Sequence, residues 1–466
     1  MEPGSESELD ELNHFHLSGL IYSFVTLRNK MIRKSFIILL LACSSFLQSQ
    51  NLYFPPTTGD TWETQDPLTL NWCAEKIDSL YAYLDSNHTK AFVLLKGGKI
   101  VLEKYFGNHT QNTPWQWASA GKTLTSFMTG IAQQEGLLSI NDTSSKYLGK
   151  GWTACTAEQE DKITIRHQLT MTSGLDDGVP ENYCTLDTCL LYKSDAGTRW
   201  AYHNAPYTLL DSVIEQATGQ TLNAYVAQKL KTPTGMTGFF IKLGYNNVFF
   251  SNARSMARFG LLMLNKGKWN STPVLTDSTY YRQLINTSQN LNLSYGFLWW
   301  LNGKNSFRLP TSQLVFPGPL IPSAPDDLYM ALGKDGQFLN VAPSEDMVWV
   351  RMGESPDGLL VPYLLNEGVW QRINELICFI NSLPASEKDD SLLQLFPNPA
   401  SETLSIRSQK ALKTISLYNL QGQLLNSLKT EGNTATVQTS QIGSGLYFIS
   451  VTFADNTVQA RKFAVE

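Results

Sequence analysis

The sequence predicts an α+β domain, an antiparallel sheet flanked by helices and carrying a helical subdomain, followed by a small all-β sandwich. Three observations carry this reading. Two apolar runs flank Gly97–Gly98 in "AFVLLKGGKIVLEKYF" (91–106), which signals a hairpin. From Ser119 to about Lys268 the apolar spacing is mostly helical, and strand-like runs then follow in succession: "YGFLWWL" (295–301), "DLYMALG" (327–333), "QFLNVAP" (337–343) and "MVWVRM" (347–352). Beyond the polar stretch "PASEKDDSLLQ" (384–394) the pattern becomes alternating strands broken by turn residues.

The elements fall in order. "MIRKSFIILLLACSSFLQSQ" (31–50) sets Arg33 and Lys34 before a short apolar run and small or polar residues, the layout of a signal peptide. Its apolar run is too short to span a bilayer. Residues 1–30 do not fit in front of such a signal, so they read as an upstream extension with Met31 the initiator. The α+β domain covers 62–384. "SLYAYLD" ends a helix beginning near Leu70, and "VWQRINELICFINSL" (369–383) is a closing amphipathic helix. Helix, two strands, helical insert, strands, helix: such a sheet is assembled from both ends of its domain. Residues 385–394 form a linker, and 395–466 hold the sandwich strands "TLSIRS", "TISLYNLQGQLL", "TATVQT", "GLYFISVTF" and "ARKFAVE".

At 466 residues the chain holds two or three domains. A formal net charge of −5 offers no basic surface for nucleic acid. If the chain is exported, its cysteines meet an oxidising compartment. Cys184 and Cys189 in "CTLDTC" are spaced to close a small loop, and the odd number left after cleavage leaves at least one free thiol among Cys73, Cys155 and Cys378. No Cys/His cluster has metal-site spacing and HExxH is absent, so neither a metal nor another cofactor is implied.

"WQWASAGKTLTSF" (115–127) sets Ser119 and Lys122 three residues apart beside Gly121. A glycine in a packing helix costs about 1 kcal/mol relative to alanine. Residues i and i+3 share a helix face, so Lys122 can reach Ser119. A serine hydroxyl becomes a nucleophile only when a base takes its proton. Lys122 can serve if burial or a second cation lowers its pKa by several units. "RWAYHNAPY" adds Tyr202 and Asn204, and "ALGKDGQF" adds Lys334 in a glycine-flanked turn. Each piece alone is common; the three in this order are not.

With these motifs, residues 62–384 resemble the serine β-lactamase and penicillin-binding-protein superfamily, especially its class C-like hydrolases and esterases. Ser119-Ala120-Gly121-Lys122 matches S-x-x-K, Tyr202-His203-Asn204 matches Y-x-N, and Lys334-Asp335-Gly336 is a loose form of K-T-G. "ITIRHQLTMTSGL" (163–175) and "SNARSMARFGLLMLNKGKW" (251–269) resemble further stretches of that family. The resemblance implies that Ser119 attacks a carbonyl, that Lys122 and Tyr202 share the proton transfers, and that Lys334 holds Tyr202 partly ionised. It implies backbone N–H groups of Ser119 and Gln337 as an oxyanion hole, with Asn204, Asp335, Gly336 and Gln337 facing substrate. It also implies that the first and last helices pack side by side, which would allow a Cys73–Cys378 bridge.

Asp335 departs from the family's Thr or Ser and would repel an anionic substrate, favouring a neutral or cationic ester, amide or peptide over a penicillin. A true β-lactamase or DD-peptidase, and a catalytically silent peptidoglycan binder, are the alternatives. His203 reads as a spacer or surface residue, since no G-x-S-x-G elbow accompanies it. Trp299 and Trp300 read as packing residues. "FPNPA" (396–400), "LYNLQGQLL" (417–425), "GLYFISV" (445–451) and the ending "RKFAVE" resemble the sorting domain of type IX secretion cargo, implying export to the cell surface or beyond and a partner in the secretion machinery.

Overall fold

The computed structural model describes residues 52–355, 361–378, 392–419 and 424–466. The proposed signal peptide, the extension before it and most of the linker lie outside the described residues. The chain divides between Ile377 and Cys378 into two compact units.

In the first unit, helix α1 (Ala74–Ser86) leads into strands β1 (Thr89–Lys96) and β2 (Lys99–Tyr105), the hairpin expected around Gly97–Gly98. The helical region holds α2 (Lys122–Gln134) and α3 (Asn204–Thr218), a hairpin of β3 (Phe239–Leu243) and β4 (Asn246–Ser251), and α4 (Ala253–Leu264). Strands β5 (Trp300–Leu301), β6 (Tyr329–Gly333), β7 (Gln337–Ala342) and β8 (Met347–Gly353) follow, and α5 (Tyr363–Asn374) closes the unit. The six strands lie in the order β2-β1-β8-β7-β6-β5, each neighbouring pair antiparallel. Thr89 pairs with Gly353, so the sheet joins both ends of its domain.

Side chains alternate across a strand, and β8 shows the consequence. Trp349 meets Phe92 of β1 and Trp370 of α5 on one face. Its neighbour Val348, on the other face, stands where a methyl group added to Gly260 of α4 would come within 2.5 Å. All seven residues of β8 are buried, as a strand covered by helices on both faces requires.

Three sequence expectations need correction. "YGFLWWL" is not a continuous strand: Leu298 has φ +62° and Gly296 packs on the Leu284 carbonyl, so only Trp300–Leu301 is extended. The closing helix runs from Tyr363 to Asn374, starting after Pro362 and ending before Cys378. The region from Ser119 to Lys268, read as mostly helical, contains the β3–β4 hairpin. Cys184 and Cys189 are paired, with Cα atoms 5.8 Å apart. Cys73 and Cys378 are each in a disulfide, and Cys155 is a free, half-buried thiol.

The second unit contains β9 (Leu393–Phe396), β10 (Thr403–Ser408), β11 (Leu412–Tyr418), β12 (Leu424–Lys429), β13 (Thr434–Gln438), β14 (Gly445–Phe453) and β15 (Val458–Val465). They form a β9-β10-β13 sheet and a β12-β11-β14-β15 sheet. Leu404, Ile406 and Val437 of the first share one core with Ile415, Ile449, Val451 and Phe463 of the second, the arrangement of a small sandwich.

Candidate active site

Ser119 stands in a tight 3₁₀ turn (Ala118–Gly121) that runs directly into α2. Trp117 anchors this turn: its Nε1 donates to Ser251 Oγ at 2.8 Å and its backbone N–H to the Phe249 carbonyl at 2.8 Å. Ala118 adopts φ +46°, a left-handed conformation that costs a residue with a Cβ free energy. The strain sits one residue before the serine. Gly121 is not demanded by its surroundings: its φ is −63° and an added Cβ would meet Phe249 Cβ at an ordinary 3.5 Å.

One helical turn along, Lys122 is buried, with Nζ 2.8 Å from Ser119 Oγ and 2.8 Å from Asn204 Oδ1. Asn204 is the first residue of α3, so the amide that holds the lysine is fixed by a helix start. The rings of Tyr207 and Tyr202 lie 3.9 and 5.0 Å from Nζ. Burial pushes the Lys122 pKa well below the ordinary lysine range, opposed by the charge of Asp211. A lysine so placed loses its proton more easily than one in water.

Tyr202 is buried and stacks on Trp300 with ring centroids 5.8 Å apart, inside a cluster completed by Trp200 and Tyr295. Burial raises its pKa, and a hydrogen bond with Ser119 works the other way. Trp299 packs away from it, between Phe259 and Tyr329. His203 is buried rather than on the surface, and its environment pushes its pKa down to about 4.

The turn between β6 and β7 carries the third group. Lys334 is exposed, Asp335 half-buried with φ +61°, and Gly336 and Gln337 buried. Burial is the largest influence on the Tyr202 phenol, with Ser119 and Tyr183 acting more weakly. The Gln337 side chain turns into the sheet, donating to the Gly353 carbonyl at 2.6 Å and accepting from its N–H at 3.1 Å. Arg351, buried on β8, donates to the carbonyls of Asp335 and Gly336 at 3.0 and 2.7 Å and fixes the turn from behind.

Two positions that the motif reading passed over join the turns. Gly333, at the end of β6, lies so close to the nucleophile turn that an added Cβ would stand 2.5 Å from the Trp117 carbonyl oxygen and 3.0 Å from the Ala120 nitrogen. Asp211, buried on α3, accepts from Thr125 Oγ1 of α2 at 3.0 Å. No signal in the sequence marks Asp211; Gly333 carried only the weak one of a glycine before a turn. Among the described residues no group of three or more His, Cys, Asp or Glu is placed to hold a metal ion.

Fold and site together define a protein with a serine–lysine pair at a helix start beside an antiparallel sheet. The Beta-lactamase family model matches residues 87–358, more than half of the chain, and the chain belongs to that family. A second match, to the Secretion system C-terminal sorting domain, covers residues 394–466. That domain marks the chain for export by the type IX secretion machinery. An uncharacterized protein of Alkalihalophilus pseudofirmus is 26% identical over 317 residues, covering 59% of this chain and 87% of its own. Among solved structures, a penicillin-binding protein homolog from Caulobacter crescentus aligns with TM-score 0.51 and 10% identity over 68% of this chain and 100% of its own. A family VIII carboxylesterase aligns with TM-score 0.50 and 13% identity over 67% and 99%. At such identities the structural likeness speaks for the fold alone.

Proposed function

We propose that the chain is an exported serine hydrolase that forms an acyl-enzyme on Ser119 and cleaves an ester, amide or peptide bond. The carrying observation is the buried Lys122 amine 2.8 Å from Ser119 Oγ. A lysine whose pKa is lowered by burial is unprotonated over more of the pH range and can take the serine proton as Oγ attacks. Tyr202, kept as a neutral phenol by burial, relays a proton toward the leaving group through its bond with Ser119. Asn204 holds the amine in place. The backbone N–H groups of Ser119 and Gln337 receive the developing oxyanion, and Lys334 supplies positive charge at the mouth.

Asp335 and Gly336 face substrate in this reading. The half-buried carboxylate of Asp335 disfavours a substrate carrying its own carboxylate next to the scissile bond, so neutral or cationic esters, amides and peptides are preferred to penicillins. The test is labelling of the purified chain with a fluorophosphonate, followed by peptide mass mapping and assay on short-chain esters, cephalosporins, D-Ala-D-Ala peptides and D-amino-acid amides. An adduct on Ser119 with ester or amide turnover is expected. Adduct on another serine would sink the assignment, and an unreactive Ser119 would mean a silent binder.

We further propose that residues 31–50 act as a signal peptide and that 395–466 serve as an address and take no part in catalysis. Deleting 395–466 is expected to leave kcat and KM unchanged and to strand the enzyme in the periplasm of its host. Fractionation that still finds the truncated chain at the cell surface would reject the address; loss of activity on a polymer alone would make the tail a binding module.

A further inference from the structure

We propose that Asp211 is a positioning residue for the acylation step, the counter-charge that receives the Lys122 ammonium formed when the Ser119 proton is taken up. The proposal rests on the reading of Lys122 as the proton acceptor.

Helices α2 and α3 meet along two rungs. In the first, Lys122 Nζ meets Asn204 Oδ1 at 2.8 Å. In the second, Thr125, one turn beyond Lys122, donates to Asp211 Oδ1 at 3.0 Å; Asp211 is two turns beyond Asn204, on the same face of α3. Asn247 of β4 donates to the other carboxylate oxygen at 3.1 Å. Asp211 is 7% exposed, yet both oxygens are taken by neutral donors. A buried carboxylate is expensive unless a charge answers it. The Lys122 charge attracts Asp211 more weakly than the hydrogen bonds from Asn247 and Thr125 hold it, and the Asp211 charge raises the Lys122 pKa against the larger effect of burial.

Other charged and titratable groups surround the pair. Tyr207 lies between them on α3, its ring 3.9 Å from Nζ. Tyr202 and Ser119 lie beside the amine, Tyr183 acts on Tyr202 and Tyr207, and these two in turn act on Tyr295. Burial pushes the Asp211 pKa up to about 7, and Glu215, one turn beyond, adds a smaller push in the same direction. Behind Asp211 opens a cleft of about 290 Å³, lined also by Glu215, Lys242, Tyr245 and Asn247.

The step balances without a proton on Asp211. The Ser119 O–H bond breaks, its proton joins the Lys122 lone pair, Oγ bonds the carbonyl carbon and the carbonyl π pair moves to oxygen. Collapse restores the carbonyl; Tyr202 gives its phenol proton to the departing group and takes the proton from Lys122 in its place. Between these events Lys122 is an ammonium in a desolvated site, and the Asp211 carboxylate is what stabilises it.

The sign of the pH effect follows. Lys122 works unprotonated, so activity appears as pH rises through its pKa in the free enzyme. A nearby carboxylate raises that pKa; removing it lowers the pKa and weakens the base. Asp211 carries its charge above about pH 7, and over that range full-length Asp211→Asn is expected to shift the acid limb of fluorophosphonate labelling at Ser119 to lower pH by about one unit or more. Its plateau rate should fall roughly tenfold. Thr125→Val, which strips one hydrogen bond from the carboxylate and favours its protonation, should move the limb the same way by less, and carries the test if Asp211→Asn does not fold. A purely structural Asp211 would lower the plateau and leave the limb where it is, and that result overturns the proposal. If wild-type protein forms no adduct on Ser119, the hydrolase reading itself has failed. A wild-type limb that the variants do not move overturns the role of Asp211 alone.

Discussion

Ser119→Ala is expected to abolish turnover, by roughly 10⁴-fold or more if the proton-transfer groups act as one unit with the serine. Stability should hardly change. Ser119 is half-buried, and its hydroxyl meets Lys122 and Tyr202. Losing such a hydrogen bond costs about 1 kcal/mol, while Lys122 Nζ keeps Asn204 as its partner. The helix start is set by Trp117, whose bonds to Ser251 and Phe249 the substitution leaves alone. Melting curves and steady-state rates measured side by side decide it: an alanine enzyme with substantial turnover removes Ser119 from the chemistry. An alanine enzyme that melts far below the wild type would make the serine a structural cap.

Gly333→Ala is the second large effect. The methyl group would stand 2.5 Å from a backbone oxygen and 3.0 Å from a backbone nitrogen of the turn that carries Ser119. Neither atom is the end of a flexible side chain, so strand and turn must separate by about 1 Å, a misplacement that costs on the order of 100-fold in a positioned site. The same movement separates Ser119 from Gln337, which follows in the next strand. We expect kcat/KM to drop about 100-fold, with a visible fall in melting temperature because β6 is fully buried. Wild-type turnover in this variant would show that the turn and β6 need not be held this close.

Ser119, Lys122 and Asn204 were legible because their relation is local or motif-borne: a three-residue step along a helix, and an asparagine at a helix start. The structure brings these together with distances of 2.8 Å. Asp211 was not legible, since its role exists only where α2 meets α3. Gly333 looked like any glycine before a turn, because the atoms it makes room for belong to residues 117 and 120. The strain at Ala118 has no sequence signature, alanine being indifferent to the reader and costly only in that conformation. In the fold, "AFVLLKGGKIVLEKYF" declared its hairpin through paired glycines. "FFIKLGYNNVFF" (239–250) hid a second hairpin inside a region of helical spacing, with Gly244 and Tyr245 as its turn. "YGFLWWL" erred the other way: apolar enough for a strand, it is bent at Leu298, a conformation that periodicity does not encode.

The position of β8 has a consequence for how the enzyme comes into being. The last strand of the sheet to be synthesised is bound on one side by β1, the first, and on the other by β7. Contacts so far apart in sequence form slowly, since a long loop must close before they bring any gain. A nascent or clipped chain ending before Gln337 already contains Ser119 and Lys122 but lacks one half of the proposed oxyanion site. It is an unarmed polypeptide. On the proposed mechanism, reactivity is expected only once β7 has brought Gln337 into the sheet beside β6 and β8 has closed the sheet between β7 and β1.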